Sequence, residues 1–141
     1  MRAVVQRASS GSVSVDSRVV GSLPCPGLVV LLGVHRSDTE ADAVRLADRI
    51  WRLRILEGNC SASDLQAPLL VISQFTLYAD TRKGRRPSWS EAAPAPVAEP
   101  LVNAFCEAAR GAGAHVETGI FGAMMEVSLV NSGPVTLILD S

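Results

Sequence analysis

The sequence lacks the short motifs that announce most catalytic folds. It has no GxGxxG for a dinucleotide, no P-loop, no GxSxG nucleophile elbow and no HExxH zinc helix. Histidine is scarce: His35 and His115 are the only two, each near a strand end and far from any serine or cysteine in a motif. A triad hydrolase is therefore poorly supported. The three cysteines, Cys25, Cys60 and Cys106, are odd in number and widely spaced, with no CxxC or Cys/His cluster. Neither a disulfide framework nor a zinc site is expected, and no cofactor or metal is called for. No apolar run approaches the ~20 residues that span a bilayer. MRAVVQRASS has no long apolar core, so no signal peptide and a cytoplasmic location are expected. With a formal net charge of −1, the chain is no general nucleic-acid coat, and any nucleic-acid contact must be local.

What is present describes one folded domain over residues 1–141. Hydrophobic residues make up 48% of the chain and charged residues 19%, enough for a sizeable core. Ala3–Gln6 reads as an opening strand. SVSVDSRVVGSL (12–23) alternates about an Asp16-Ser17 turn, a β-hairpin. GLVVLLGV (27–34) reads as a strand buried on both faces. Ser37 and Glu40 offer a capping box to a helix over Thr39–Leu53, with Val44, Ala47, Ile50 and Trp51 on its core side. EGNCSASDLQAP (57–68) reads as a loop and LLVISQFTL (69–77) as a second buried strand. The segment 78–96, rich in Pro, Gly and charge, reads as a long loop. Leu101, Val102, Phe105 and Ala109 mark a second helix, with Pro100 in its first turn and Gly111 or Gly113 ending it. His115–Glu117, Val127–Val130 and Val135–Leu139 complete the strands. The order predicts an α+β fold, with a mixed, largely antiparallel sheet and two main helices.

Three features hold chemical promise. Ser73-Gln74-Phe75-Thr76 places polar groups on a buried strand, where an unpaired polar atom costs ~1–3 kcal/mol. Either alternate residues face water or the strand end lines a pocket, and composition leaves both open. Arg82-Lys83-Gly84-Arg85-Arg86 concentrates positive charge in a near-neutral chain, which suits phosphates or merely water. Asn131-Ser132-Gly133-Pro134-Val135-Thr136 puts Gly-Pro between two strands. That is a plain turn or, since X-Pro alone has an appreciable cis population, a cis device.

Taken together, SQFTLYAD (73–80) and NSGPVT (131–136) resemble the Ser-Gln-x-Thr and Asn-x-Gly-Pro-Val-Thr motifs of the D-aminoacyl-tRNA deacylases. The resemblance extends to the Arg2–Arg7 strand, GLVVLLGV, the Arg-Pro-Ser-aromatic segment at 86–89 and VSLVNSGPVT. It implies a barrel-like domain that hydrolyses the ester between a D-amino acid and the terminal adenosine of tRNA. It also implies a homodimer in which the Gly-Pro motif of one subunit, its peptide bond cis, enters the pocket of the other. Carried over residue by residue, Ser73, Gln74, Phe75 and Thr76 line the substrate pocket, with Met125 beside it. Gly133 and Pro134 form the chiral selector. Arg7, Asn131, Val135 and Thr136 support it. From their charge, and not from the resemblance, Arg82, Lys83, Arg85 and Arg86 are expected to meet tRNA phosphates.

A pair of main-chain carbonyls on the L side of Cα leaves no room for any L side chain. Glycine has none to exclude, so glycyl-tRNA is an expected second substrate. Two catalytic accounts stay open. Thr76 is a nucleophile, or the Phe75 or Thr76 N–H stabilises the oxyanion while the tRNA 2′-hydroxyl assists a water. The absence of a nucleophile-base pair favours the second. At 57–67 the chain is shorter than many relatives, which puts any contact from that loop in doubt. A sister deacylase with a trans Gly-Pro acting on small L-residues, and a non-catalytic RNA-binding module built on 82–86, are the rivals.

Overall fold

The computed structural model describes residues 1–82 and 84–141, so the expected phosphate contact of Lys83 lies outside the described residues. Arg2–Val15 forms β1 and Arg18–Ser22 forms β2. They pair antiparallel through a two-residue turn in which Asp16 (φ 49) and Ser17 (φ 62) both take positive φ, the conformation that matches strand twist. Gly27–Gly33 (β3), Leu69–Ser73 (β4) and Val116–Thr118 (β5) run parallel to one another. The final strand, Glu126–Asp140 (β6), pairs antiparallel with β1 along nearly its whole length. The strand order β2-β1-β3-β4-β5, with β6 on β1, curls into a nearly closed barrel. At the seam, Gly21 lies so close to the Thr118 carbonyl that a Cβ there would overlap it.

Three helices complete the fold: Glu40–Trp51 (α1), the short Ala62–Leu65 (α2) and Ala95–Gly111 (α3). Alternate residues of β3 face opposite sides. Leu28, Val30 and Leu32 join the cluster under α1 and α3, with Phe105, Leu46 and Ile50. Val29 joins a second cluster with Val13, Leu70 and Ile72. Burying each such side chain is worth roughly 1.5–3 kcal/mol, which explains why β3 reads as an unbroken apolar run.

Six features differ from the sequence expectation. The α1 capping box is Thr39 with Asp42, whose carboxylate accepts from the Thr39 N–H (2.8 Å) and hydroxyl (2.7 Å). Ser37 is instead bonded to His35 Nδ1 at 2.8 Å. The buried stripe is Ala43, Leu46, Ala47, Ile50 and Trp51, which leaves Val44 outside. Within the expected loop at 57–68, Ser61 and Asp64 cap α2 reciprocally (3.1 and 2.9 Å). β4 stops at Ser73, where its partner β3 runs out at Gly33, and Phe75–Tyr78 winds into a 3-10 turn. α3 starts at Ala95, capped by Pro94, so Pro100 lies inside the helix rather than in its first turn. Lastly, β1 and β6 are each continuous where the sequence suggested two pieces.

Candidate active site

Where β4 ends, the chain opens a pocket of about 370 Å³ between the 3-10 turn, the start of α3 and the segment entering β6. Ser73, Gln74, Phe75 and Met125 all line it. Ala93, Ala95, Ala98 and Val102 form the helix-side wall, and Phe121 to Met125 with Val127 close the opposite side. The lining is mainly apolar, and among the described residues it contains no acid, histidine, lysine, arginine, cysteine or tyrosine. Its polar side chains are those of Ser73 and Gln74, and Phe75 of the 3-10 turn lines it beside them. The first N–H groups of that turn, on Phe75 and Thr76, have no acceptor within the turn and remain available to an oxygen.

Thr76 is exposed and lies outside the lining. Its hydroxyl accepts from the Gln74 side-chain amide. No carboxylate or imidazole among the described residues bonds to it. Phe75 is 56% exposed, and its ring meets Trp89 edge-on with centroids 5.1 Å apart.

Gly133 and Pro134 do not line this chain's own pocket. They sit six and seven residues beyond Val127 on β6, roughly 20 Å along an extended strand. Here the ladder jumps from Gln6 opposite Thr136 to Ala8 opposite Asn131, so residues 132–135 bulge out opposite Arg7. The Gly133-Pro134 peptide is cis. Both residues are exposed at the crest of the bulge.

Four side chains brace that bulge. Arg7 Nε donates to the Ser132 carbonyl (3.0 Å) and Nη1 to the Ile55 carbonyl (3.4 Å), tying the bulge to the chain after α1. The Asn131 amide donates across the base of the bulge to the Val135 carbonyl at 3.0 Å. Thr136 Oγ1 accepts from Gln6 Nε2 at 3.2 Å, and Val135 is half-buried beside it. Gly133 has φ +116, and a Cβ there would run into Arg7 Nη2. The backbone conformation demands glycine, and a Cβ would push the Arg7 guanidinium from its place beside the bulge.

The basic loop is not uniform. The Arg82 guanidinium is taken by Asp80, with Nε at 2.9 Å and Nη2 at 2.8 Å, and this pulls the Asp80 carboxyl down to about 2. Arg85 and Arg86 are exposed and join no ion pair among the described residues. Around the pocket, sequence reasoning took Trp89 only as the aromatic of the 86–89 segment, and passed over Phe121, Met124 and the alanine face of α3. Phe121 and Met124 belong to an apolar stretch (119–125) with neither helix nor strand periodicity, so pattern alone gave no handle on them.

The model of the D-Tyr-tRNA(Tyr) deacylase family matches residues 4–140. A D-aminoacyl-tRNA deacylase of Cutibacterium acnes is 64% identical over 141 residues, covering 100% of this chain and 97% of its own. One of Nocardia farcinica is 63% identical over 143 residues and covered in full on both sides. Among solved structures, a c-Myc DNA unwinding element binding protein superposes with a TM-score of 0.93 at 36% identity, covering 100% of this chain and 99% of its own. A probable eukaryotic D-amino acid tRNA deacylase superposes at 0.87 with 17% identity, covering 99% and 98%. With its two motifs on one barrel and these relatives aligned end to end, the chain belongs to the D-Tyr-tRNA(Tyr) deacylase family.

Proposed function

We propose that this protein hydrolyses the ester bond between a D-amino acid and the terminal adenosine of tRNA, releasing free amino acid and tRNA. The observation that carries this reading is the pocket itself. It is apolar, no titratable side chain lines it among the described residues, and its lining includes Ser73, Gln74 and Phe75, whose N–H opens the 3-10 turn. Such a site holds an ester and stabilises charge developing on its carbonyl oxygen, but it cannot supply a base. Water then attacks the carbonyl carbon, with the Phe75 or Thr76 N–H on the oxyanion. The adenosine 2′-hydroxyl takes the proton of that water and passes its own to the 3′-oxygen as the bond from that oxygen to the carbonyl carbon breaks, which leaves the free amino acid and a tRNA with both ribose hydroxyls restored.

Chiral selection is assigned to Gly133 and Pro134 acting in a second copy of the chain. Three observations support it. The bulge is braced by Arg7 and Asn131, it is exposed, and it lies far from its own pocket. In addition, the outer edge of β6 has no strand partner, yet Val130 and Ile138 on it are 58% and 69% exposed. An apolar open edge of this length calls for cover, and a second copy of β6 offers the same apolar surface in return. Backbone carbonyls delivered across that contact would meet the L side of Cα whatever the side chain, and glycine would pass.

A deacylation assay on one tRNA charged with the D form, the L form and glycine tests this reading. Expected are turnover of the D-ester and the glycyl ester, and an L-ester that decays no faster than without enzyme. Turnover of the L-ester would assign the chain to an L-specific editing activity. Binding without turnover of any ester would reduce it to an RNA-binding module.

A further inference from the structure

Two tryptophans have opposite fates in this fold. Trp51 is 2% exposed, its indole N–H bonded to the Ala112 carbonyl at 3.2 Å. Trp89 is 43% exposed on the loop before α3, and the core makes no use of it. Its ring meets that of Phe75, itself 56% exposed and part of the pocket lining, at 70° with centroids 5.1 Å apart. The two rings therefore form an apolar ledge immediately outside the pocket.

The ledge is held in place. Asp80 and Ser88 exchange backbone hydrogen bonds at 2.9 Å each, closing the loop just before Trp89. On the other side, the Glu91 carbonyl accepts from the Arg36 N–H (3.1 Å). The Glu91 carboxylate holds His35 Nε2 (2.9 Å) and Arg36 (3.3 Å). A solvent-facing indole fixed between two anchors loses little entropy when something stacks on it. The nearby charge is positive: Arg85 and Arg86 are exposed, whereas Arg82 is engaged by Asp80.

We propose that Trp89 and Phe75 form a stacking platform for the unpaired nucleobase that precedes the terminal adenosine, with Arg85 and Arg86 on the adjoining phosphates. This rests on the reading that the pocket takes the aminoacylated adenosine. Stacking uses the π-face common to every base, and cations beside it favour a polyanion over a protein partner. Because tRNAs share their unpaired 3′ end, the platform grips substrate without selecting among them.

The test compares two substrates with the same D-amino acid: a minihelix bearing the single-stranded 3′ end, and the amino acid esterified to adenosine alone. Trp89→Ala should raise KM for the minihelix by about tenfold more than for the adenosine ester, as the loss of one stacked base implies, with the effect falling on KM rather than kcat. Trp89→Phe, which keeps a ring, should recover most of the loss. An equal KM change on both substrates, or no change on either, overturns the platform. A second readout needs no turnover. The unesterified 3′ oligonucleotide should quench tryptophan emission in the wild type, and much less in Trp89→Phe, where only the buried Trp51 emits. Absence of that quench also overturns it. A wild type that hydrolyses neither ester but shows the quench would fail the deacylase reading while sustaining the platform.

Discussion

The Thr76 hydroxyl accepts from the Gln74 amide and stands outside the pocket, and no base among the described residues touches it. A threonine works as a nucleophile only if something removes its proton, and the two histidines are committed elsewhere. His35 lies between Ser37 and Glu91, and His115 pairs with Glu117 at 3.0 Å. What Thr76 does offer is its main chain, which a side-chain substitution leaves in place. Thr76→Ala is therefore expected to keep turnover within about tenfold of wild type in a single-turnover deacylation assay, whereas loss of a true nucleophile costs about 10⁴-fold or more. The same logic assigns Arg7 a positioning part. Its guanidinium holds the Ser132 and Ile55 carbonyls and fills the space beside Gly133.

β6 is the element whose surface is hardest to explain in a single chain. Its one interior anchor near the end is Leu139, 5% exposed, while Val130, Leu137 and Ile138 are exposed. If this edge is the contact between two copies, a charge on it should separate them. Ile138→Lys should raise the dimer dissociation constant by roughly a hundredfold, the cost of setting an unpaired ammonium against apolar surface. Analytical ultracentrifugation gives the constant, and D-ester turnover should fall in step with the dimer fraction while the far-UV circular dichroism stays native. Turnover intact in a fully monomeric variant would sink selection across subunits. The sequence made the strands of β6 readable but not their continuity, because Gly-Pro mimics a turn and the bracing from Arg7 and Gln6 comes from over 120 residues away. β3 and the β1–β2 hairpin were legible because apolar periodicity and a two-residue turn are local signals. The end of β4 was not: it stops because β3 does, a fact of pairing rather than of LLVISQFTL. The pocket motifs were found by resemblance, and so was the aromatic at 89, but its place beside Phe75 became visible only in the fold.

At the scale of the whole molecule, pH separates folding from chemistry. On the acid side, hydrogen bonds from Arg2 to Asp140, from Thr39 to Asp42 and from Ser61 to Asp64 hold these carboxyls below their usual range, and Arg82 takes Asp80 to about 2. Groups with depressed folded values stabilise the fold above their unfolded pKa, near 4, and that contribution is lost as pH falls through the folded values. All four sit near the surface, so the acid limb is shallow. On the alkaline side, burial pushes the Cys106 thiol up to about 11 and the Tyr78 phenol up to about 12. Both stay neutral in the fold. Their contribution is complete below the unfolded values, near 8.5 for the thiol and 10 for the phenol, and drains away as pH rises through 11 and 12. Stability set by these groups is therefore level from about pH 5 to 8. Within that window no side chain that titrates lines the pocket among the described residues. The logarithm of kcat/KM should then show no bell, because a bell reports an essential acid and an essential base on the free enzyme. Any slope must come from the substrate ammonium or from the attacking water. Measured on a D-aminoacyl-tRNA from pH 5.5 to 8, with thermal unfolding recorded in the same buffers, a bell-shaped profile over an unchanged melting temperature would mean that an enzyme side chain enters the pocket from outside this chain's own lining. The second copy of the chain proposed above would be its source.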